Sequence, residues 1–280
     1  METITLINKG SNLLKDRNIP SHQLDSEILL SNILKKTREE LLISLDQKIS
    51  PKNVEKFNNL IKRRSAKEPI AYIIKEKEFW SKKFFVNKHV LIPRPETELM
   101  IDKLVKLFKY KNISILDIGT GTGCIIISIL DELKQSKGIG IDISMKAVEI
   151  ARRNSKKYNL TNKVKFFRRS INQIHNTHFD LIVSNPPYIM RKDLKNLHDD
   201  VKKFEPKLAL DGGNDGLDLI RKVIYKSKYI LRNKGMLALE IGNEQFKKVS
   251  KILKKNKFRT KDLIKDYREN IRCVLAVLEK

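Results

Sequence analysis

The sequence has few cysteines and few histidines. Its two cysteines, Cys124 and Cys273, lie far apart, one beside an apolar run and one in a strand-like segment near the C-terminus. The histidines include one close pair, His175 and His178, which lacks a carboxylate or thiol at ligand spacing. We therefore predict neither a disulfide framework nor a metal site.

Long hydrophobic runs are also lacking. The longest, CIIISIL at residues 124–130, is too short to cross a bilayer. The N-terminal stretch METITLINKGSNLLK has no apolar segment of the kind found in signal peptides. These absences predict a cytoplasmic protein that does not interact with a membrane.

Acidic residues are in the minority, since 58 Lys and Arg stand against 33 Asp and Glu and give a net charge of +25. Such a charge favours a polyanionic partner such as nucleic acid. The basic residues are scattered along the whole chain, however, and the sequence is rich in Lys, Ile and Asn, so a general composition bias explains the charge as well. Direct nucleic-acid binding stays open, but a solvated basic surface is the interpretation we favour.

The pattern of the first third of the chain indicates a helical domain followed by a hairpin. Apolar residues recur at helical spacing, for example at Ile28, Leu29, Ile33 and Leu34. Ser21 and Ser50 are expected as N-caps, the second before Pro51 at a first helical position. Between Lys75 and Ile92, aromatic and β-branched residues around a short polar break predict a β-hairpin. We predict an N-terminal helical domain at 1–75, a hairpin linker at 76–92 and a larger domain at 93–280.

The larger domain alternates strands and helices. A helix is expected to start in PRPETELM, with Glu96 and Glu98 near its positive end. Further helices are predicted near 123–134, 144–158, 217–232 and 244–255. Strands are predicted at 113–118, 138–143, 164–168, 179–184, 236–241, 258–264 and 272–278. This alternation is typical of an α/β fold with a doubly wound, mainly parallel sheet.

The first strand–helix junction of this domain, ILDIGTGTGC, indicates a cofactor site. Its glycines at alternate positions, Gly119, Gly121 and Gly123, allow a sharp turn and a close approach to a ligand. The next strand ends at Asp142, where a carboxylate can accept hydrogen bonds from ribose hydroxyls. NAD, FAD and S-adenosylmethionine all suit such a turn. The GxGxG spacing favours S-adenosylmethionine, because dinucleotides prefer GxGxxG.

The sequence NPPY follows the strand Phe179–Ser184 and predicts a rigid loop at the sheet edge, because two prolines fix the backbone. The Asn185 amide oxygen and the Pro186 carbonyl can accept the two hydrogens of a planar NH₂ group, while Tyr188 offers a flat face for stacking. Such a nitrogen is a poor nucleophile. Holding both of its hydrogens favours pyramidalisation toward an electrophile such as a sulfonium methyl group.

Several motifs then support a resemblance to a known family. They are IPRPETE at 92–98, LDIGTGTG at 116–123, GIDIS at 140–144, SNPPYI at 184–189, FEPKLALDGGNDGLD at 204–218 and LEIGNEQ at 239–245. The chain resembles the S-adenosylmethionine-dependent protein-glutamine N5-methyltransferases of the HemK/PrmC type, which act on peptide-chain release factors. NPPY is shared with methyltransferases that modify amino groups of nucleic acids. The first and fifth motifs are the specific ones.

The resemblance implies a Rossmann-like class I methyltransferase fold behind a helical substrate-binding domain. It implies transfer of a methyl group to the glutamine of a Gly-Gly-Gln motif, with release factors as partners and a monomeric enzyme. The implied substrate and catalytic residues are Asn185, Pro186, Pro187 and Tyr188, with Arg94, Thr97 and Glu98 at the mouth of the site. The implied cofactor residues are Asp117, Gly119, Thr120, Gly121, Gly123, Asp142, Ser170, Ile171 and Asn185.

The chain departs from the family pattern near the adenine. Ser170 stands where the family usually has an acidic residue, and Ile171 follows it. A hydroxyl can still hydrogen-bond an amino group, so the departure predicts weaker cofactor binding rather than its loss.

Two rival functions remain at this point. A nucleic-acid amino-methyltransferase would explain NPPY and the charge, but not PRPETE. A cofactor-binding regulatory module without catalysis would have no need of the amide-binding residues of NPPY.

Overall fold

The computed structural model describes residues 1–175 and 177–279. Asn176, which lies between His175 and His178, is outside the described part. In chain order the helices are α1 Thr3–Lys15, α2 His22–Leu34, α3 Arg38–Leu42, α4 Pro51–Ser65, α5 Ile70–Ile74, α6 Glu96–Phe108, α7 Cys124–Glu132, α8 Met145–Lys157, α9 Asp199–Phe204, α10 Asp218–Ile230 and α11 Phe246–Lys255. The strands are β1 Glu76–Phe79, β2 Lys82–Phe85, β3 Ser114–Ile118, β4 Lys137–Asp142, β5 Val164–Arg168, β6 Phe179–Ser184, β7 Leu231–Glu240, β8 Phe258–Lys265 and β9 Ile271–Leu278.

The chain divides into two compact units. The first comprises Met1–Glu76 with His198–Phe204, and the second comprises Lys77–Leu197 with Glu205–Lys280. Within the described ranges, no helix combines the length and the apolar composition needed to cross a bilayer.

The first unit is helical, and its core is formed by aliphatic and aromatic side chains such as Leu6, Leu30 and Phe57. Ser50 caps α4 as predicted, because its hydroxyl accepts from the Asn53 N–H. Ser21 also precedes a helix, but its hydroxyl donates to the Asp25 carboxylate and does not cap α2. The capping prediction was therefore wrong at Ser21, because a nearby carboxylate competes for the hydroxyl.

The predicted hairpin is present but short, because its strands cover 76–85 rather than the whole of 76–92. Trp80 and Ser81 form its turn, and both have positive φ, at 51° and 52°. This is the geometry that matches the twist of two-residue hairpins. The Trp80 indole donates to the Glu132 carboxylate at 3.0 Å, and Phe79 is buried in the core.

The seven-stranded sheet has the order β5-β4-β3-β6-β7-β9-β8. All neighbours from β5 to β7 pair in parallel, and β9 is antiparallel to β7 and β8. The predicted doubly wound, mainly parallel sheet is confirmed. β7 begins at Leu231, earlier than expected, and the short helix α9 had no counterpart in the sequence analysis.

Helices cover both faces of this sheet. One core layer contains residues of α6, α7 and α8, such as Leu104, Ile127 and Val148, and the other contains residues of α10 and α11, such as Val223 and Leu253. Successive residues of a strand alternate between the layers, so parallel strands buried on both faces read as nearly continuous apolar runs.

The strand order reverses at β3, which pairs with β4 on one side and with β6 on the other. Ligands of open α/β sheets bind outside the carboxyl ends of the strands at this point. Both loops singled out in the sequence leave the sheet there, because LDIGTGTG follows β3 and NPPY follows β6.

Candidate active site

The loop between β3 and α7 borders a cavity of about 680 Å³ at the carboxyl edge of the sheet. The N–H groups of Gly119 and Thr120 both donate to the Ile141 carbonyl, which folds the loop back over β4. Gly119 and Gly121 have φ of +72° and +54°, a region that L side chains rarely adopt. A Cβ at Gly119 would meet nothing within 4 Å, so this backbone faces open space.

Gly123 has a different role, because it does not line the cavity. A Cβ at this position would lie 2.9 Å from Ile127 Cδ1 and 3.3 Å from Phe166 Cζ. The residue allows α7 to pack closely against the sheet.

Asp117 lies beneath the loop and is fully buried. Thr120 Oγ1 donates to its Oδ2 at 2.7 Å. Burial raises the pKa of this carboxyl to about 7, and the hydrogen bond from Thr120 opposes the rise. The backbone N–H of Ile126 also lowers the pKa of this carboxyl. Asp117 Oδ1 meets no hydrogen-bond partner within hydrogen-bond geometry in the described part of the chain. A buried acceptor without a partner is costly unless a ligand satisfies it.

Asp142 ends β4 and lines the cavity. Its Oδ2 accepts from the Gly121 N–H at 3.0 Å and its Oδ1 from the Ser144 N–H at 2.9 Å. Burial raises the pKa of this carboxyl, and these backbone hydrogen bonds oppose the rise. Each carboxylate oxygen retains a lone pair after its backbone contact, so Asp142 can still accept from a ligand hydroxyl.

Ser170 and Ile171 line the same cavity on the far side of Asp142. Ser170 precedes a short 3₁₀ turn at Ile171–Gln173, and its N–H donates to Gln173 Oε1 at 2.9 Å. The turn therefore places the serine at the cavity wall, where the sequence predicted a cofactor contact.

The NPPY loop borders the same cavity. Asn185 and Pro187 line the cavity, and Pro186 is buried behind it. The Asn185 Nδ2 donates to Thr97 Oγ1 at 3.3 Å. The amide nitrogen of Asn185 is thus turned toward the protein.

Tyr188 packs into the second core layer rather than lining the cavity. A Cβ at Gly242 would come within 3.0 Å of Tyr188 Cδ2, so the ring lies directly against that glycine. Burial raises the pKa of the Tyr188 hydroxyl, which keeps it protonated. The ring therefore supports the NPPY loop from the side of the second core layer.

A second loop holds NPPY in place. Cβ atoms at Gly212 and Gly216 would lie 2.8 Å from the Pro187 carbonyl oxygen and 2.4 Å from that of Tyr188. These glycines of the DGGNDG motif allow the two backbones to touch. Gln245 connects the loops, because its Nε2 donates to the carbonyls of Tyr188 (2.9 Å) and Gly216 (3.3 Å).

The carboxylates of DGGND form turns. Asp211 Oδ1 accepts from the Gly213 N–H, and Asp215 Oδ1 accepts from the Leu217 N–H. Both contacts are the side chain-to-backbone bonds that Asp makes in turns.

The PRPETE segment contributes two contacts at the cavity mouth. Arg94 lines the cavity and pairs with Glu205 at 2.7 Å, whose side chain is 1% exposed. Thr97 also lines the cavity, and its hydroxyl donates to Glu240 Oε2 at 2.6 Å. Glu98 lies in the first turn of α6 but not among the cavity-lining residues.

Three residues without an assigned role in the sequence analysis support this site. Glu205, Glu240 and Gln245 all lie in motifs that carried the family resemblance, FEPK and LEIGNEQ. Their place in these motifs is the sequence signal that could have identified them, because the burial of Glu205 and Glu240 is visible only in the folded chain.

Comparison with known proteins agrees with this architecture. The family model of the PrmC N-terminal domain matches residues 5–74, and that of the methyltransferase small domain matches residues 95–204. A methyltransferase structure from Pyrococcus furiosus superimposes with a TM-score of 0.54 at 18% identity and covers 70% of this chain and 89% of that one. At that identity the likeness shows the fold alone.

Two curated relatives are similar over almost the whole chain. The release factor glutamine methyltransferase of Clostridium acetobutylicum is 36% identical over 273 residues, which cover 96% of both chains. The bifunctional methyltransferase of Rickettsia felis is also 36% identical, but the match covers 96% of this chain and 57% of that protein. The chain thus spans about half the length of the bifunctional relatives. On these matches, the chain belongs to the family of release factor glutamine methyltransferases.

Proposed function

We propose that the chain transfers a methyl group from S-adenosylmethionine to the side-chain amide nitrogen of a glutamine, and that this glutamine belongs to the Gly-Gly-Gln motif of peptide-chain release factors. Family membership and the names of the relatives support the reaction and the substrate. The sequence motif NPPY and its place in the structure support the chemistry.

The residues around the cavity fit the proposed cofactor. Asp117 lies beneath the glycine loop, and its buried Oδ1 has no hydrogen-bond partner among the described residues, which suits the ammonium group of a methionine moiety. Gly119 and Gly121 leave open space where side chains would otherwise project. Asp142 provides acceptors for ribose hydroxyls, and Ser170 and Ile171 line the part of the cavity assigned to adenine.

When bound, S-adenosylmethionine supplies a methyl group on a positively charged sulfur atom. The chain's contribution is to hold the acceptor nitrogen. Asn185 Oδ1 and the Pro186 carbonyl accept the two amide hydrogens, which aligns the nitrogen and favours its pyramidal form. Pro187 and the packing of Tyr188 keep this loop rigid. The proton that the nitrogen loses after transfer passes to water.

One observation carries the proposal. Asn185, which can bind an amide, lies on the same cavity as Asp142 and the open glycines, although the sequence separates them by more than 40 residues. This shared cavity supports a direct transfer, which requires the cofactor and the acceptor amide to be bound side by side.

Methyl transfer from labelled S-adenosylmethionine to a purified release factor tests the proposal. We expect label on the release factor, no label when its Gly-Gly-Gln glutamine is changed to Ala, and a loss of about 100-fold or more with Asn185→Ala enzyme. Calorimetry should show that Asn185→Ala still binds the cofactor.

A parallel reaction with unmethylated DNA separates the rivals. Label on DNA would transfer the function to the nucleic-acid amino-methyltransferases. Cofactor binding without label on either substrate would contradict the proposed reaction and favour a regulatory module.

We further propose that the helical segment 1–75 helps to bind the protein substrate, with 76–92 as the linker and 93–280 as the methyltransferase domain. Because release factors act with ribosomes, the chain is expected to work in the cytoplasm. We also expect it to act as a monomer. Pull-down of a release factor by the isolated wild-type chain and by a variant with charge reversals on α4 tests the binding role, since α4 carries exposed basic residues in its last turn. Equal binding by both would contradict a role for that surface.

A further inference from the structure

A chain of hydrogen bonds runs from Asn185 to a buried carboxyl group. The Asn185 Nδ2 donates to Thr97 Oγ1 at 3.3 Å, and the Thr97 hydroxyl donates to Glu240 Oε2 at 2.6 Å. Thr97 is 2% exposed and Glu240 is 3% exposed. The three residues come from the loop after β6, from the first turn of α6 and from the end of β7, so only the folded sheet brings them together.

The direction of this chain is set at the carboxylate. An ionised carboxylate can only accept, so the Thr97 hydroxyl must donate its hydrogen to Glu240. The Thr97 oxygen then has only lone pairs to offer to Asn185. The Asn185 amide must therefore turn its NH₂ group toward Thr97, which leaves Oδ1 directed away from this contact and able to accept from a substrate.

Protonation of Glu240 would remove this constraint. A protonated carboxyl can donate to Thr97 Oγ1, and the Thr97 hydroxyl is then able to donate to Asn185 Oδ1. The amide can turn over under these conditions and present its NH₂ group to the substrate. Two NH₂ groups facing each other cannot form a hydrogen bond, so a substrate amide would not be held.

We propose that Glu240, acting through the Thr97 hydroxyl, is a positioning residue that fixes the orientation of the Asn185 amide, so that its oxygen faces the substrate amide. This inference rests on the proposed function and adds two residues to it. Neither residue is placed in contact with the reacting atoms, and both act through Asn185.

The groups that face Glu240 come from several elements. Burial raises the pKa of Glu240 to about 7, and the charge of Glu96 on α6 raises it further. The hydrogen bond from Thr97, the Arg272 guanidinium on β9 and a hydrogen bond from the Asn185 amide lower it. The contact with Asn185 agrees with an amide whose NH₂ group faces this carboxylate. Tyr188 and the thiols of Cys124 and Cys273 also lie near this carboxyl; burial raises their pKa values, and the charge of Glu240 adds to the rise. These groups stay neutral near pH 7, so Glu240 is the member of this cluster that changes its charge there.

Two variants at Thr97 and one control variant at Ser227 test the positioning role. Thr97→Val keeps the shape of the side chain and removes its hydroxyl, and we expect kcat to fall by about 100-fold, with the Kd for S-adenosylmethionine unchanged. Thr97→Ser retains the hydroxyl and should restore most of the wild-type kcat. Ser227→Ala, which removes a buried hydroxyl without a partner from α10, is the matched control and should leave kcat unchanged.

The pH profile of kcat at saturating cofactor is the second readout. Below the pKa of Glu240, wild-type kcat should fall about tenfold per pH unit as the amide loses its fixed orientation. Glu240→Gln cannot ionise and should show a lower kcat without this acidic limb. At saturating cofactor the measured rate no longer depends on cofactor affinity, so any pH dependence that Asp117 gives to cofactor binding is removed from the profile.

The outcomes separate this inference from the proposed function. No label on the release factor with the wild-type enzyme would contradict the proposed function. Wild-type methylation with an unchanged kcat in folded Thr97→Val, or an acidic limb that persists in Glu240→Gln, would overturn the inference alone. Thermal unfolding of each variant shows that the compared proteins are folded.

Discussion

The central sheet has a cavity at each edge, and the two differ in chemistry rather than in size. The cavity at the carboxyl edge has a volume of about 680 Å³ and the one at the amino edge about 640 Å³. The amino-edge cavity is lined by residues at the starts of strands, such as Asp180 and Arg232, and by residues near the C-terminus. Volume alone therefore does not distinguish the active site.

The carboxylates distinguish the two edges. At the amino edge Asp180 accepts from Arg232 at 2.6 Å, and Glu279 accepts from Arg259 at 2.5 Å. Partial burial alone would raise the pKa of Asp180, but hydrogen bonds from the Ser114 N–H and from Arg232 lower it. At the carboxyl edge, burial raises the pKa of Asp117 to about 7 without a cation beside it. A buried carboxylate without a cationic partner is a candidate for contact with a ligand.

Gly119→Val should produce the largest change, at the carboxyl edge. A β-branched residue at φ of +72° is strained, and its side chain would fill the open space next to the loop. We expect cofactor affinity to fall by about 100-fold, or roughly 3 kcal/mol. Isothermal calorimetry measures this, and unchanged affinity would mean that the glycine loop does not contact the cofactor.

Asp117→Asn should weaken cofactor binding less than Gly119→Val does, and it should stabilise the folded protein in the absence of cofactor. Losing a charged acceptor should weaken cofactor binding by about 30-fold, equivalent to roughly 2 kcal/mol. In the wild type the folded pKa of about 7 lies above the ordinary 3.8, so the folded state binds more protons than the unfolded state between these values. The free energy of unfolding therefore falls as pH rises from about 4 to about 7.

The variant should lose the part of this pH dependence that Asp117 contributes, while Glu240 retains its own. At pH 8 and without cofactor we expect Asp117→Asn to be more stable than the wild type by roughly 2 kcal/mol. Denaturant unfolding at pH 5 and pH 8 measures the difference. A variant that is less stable at pH 8 would show that the hydrogen bond from Thr120 to Asp117 outweighs the cost of burying the charged carboxylate.

Ser170→Asp adds a carboxylate at the carboxyl edge and should strengthen cofactor binding there. An acidic side chain in this position can accept from the adenine amino group more strongly than a hydroxyl does. We expect the Kd for S-adenosylmethionine to fall by up to about tenfold. An unchanged or higher Kd by calorimetry would count against contact between this residue and the adenine.

Arg232→Ala should have the smallest effect, because it alters the amino edge. The Arg232 side chain is 55% exposed, and an exposed ion pair contributes about 0–1 kcal/mol to stability. Methylation of the release factor and cofactor affinity should match the wild type. A clear loss of activity would show that the amino-edge cavity takes part in function.

Most of the fold could be predicted from the sequence, because buried parallel strands and amphipathic helices have distinct periods. β5 and β6 have the predicted bounds, and the other strands of the sheet begin and end close to the predicted ones, apart from the early start of β7. The helix α9 was missed because six residues are too few to show a period. The hairpin was predicted too long because β-branched residues after Phe85 lie outside any strand.

The site could be predicted only in part. The residues that leave a strand directly, such as Asp142 and Asn185, were identified because the topology alone places strand ends at one edge. Gly123 and Tyr188 were also expected at the site, yet neither lines the cavity. Their motifs suit both ligand contact and packing, and sequence does not separate the two.

The sequence by itself determined the order of strands and helices, the glycine turn after β3 and the rigid NPPY loop after β6, because these depend on local periodicity and on the backbone preferences of Gly and Pro. The tertiary structure alone decided which carboxyl groups are buried and which polar groups form hydrogen bonds with each other. Glu240 is 143 residues from Thr97 in the chain, but the sheet places them 2.6 Å apart. Burial and hydrogen-bond direction are properties of such long-range contacts, so the orientation of the Asn185 amide follows from the fold and not from the NPPY motif.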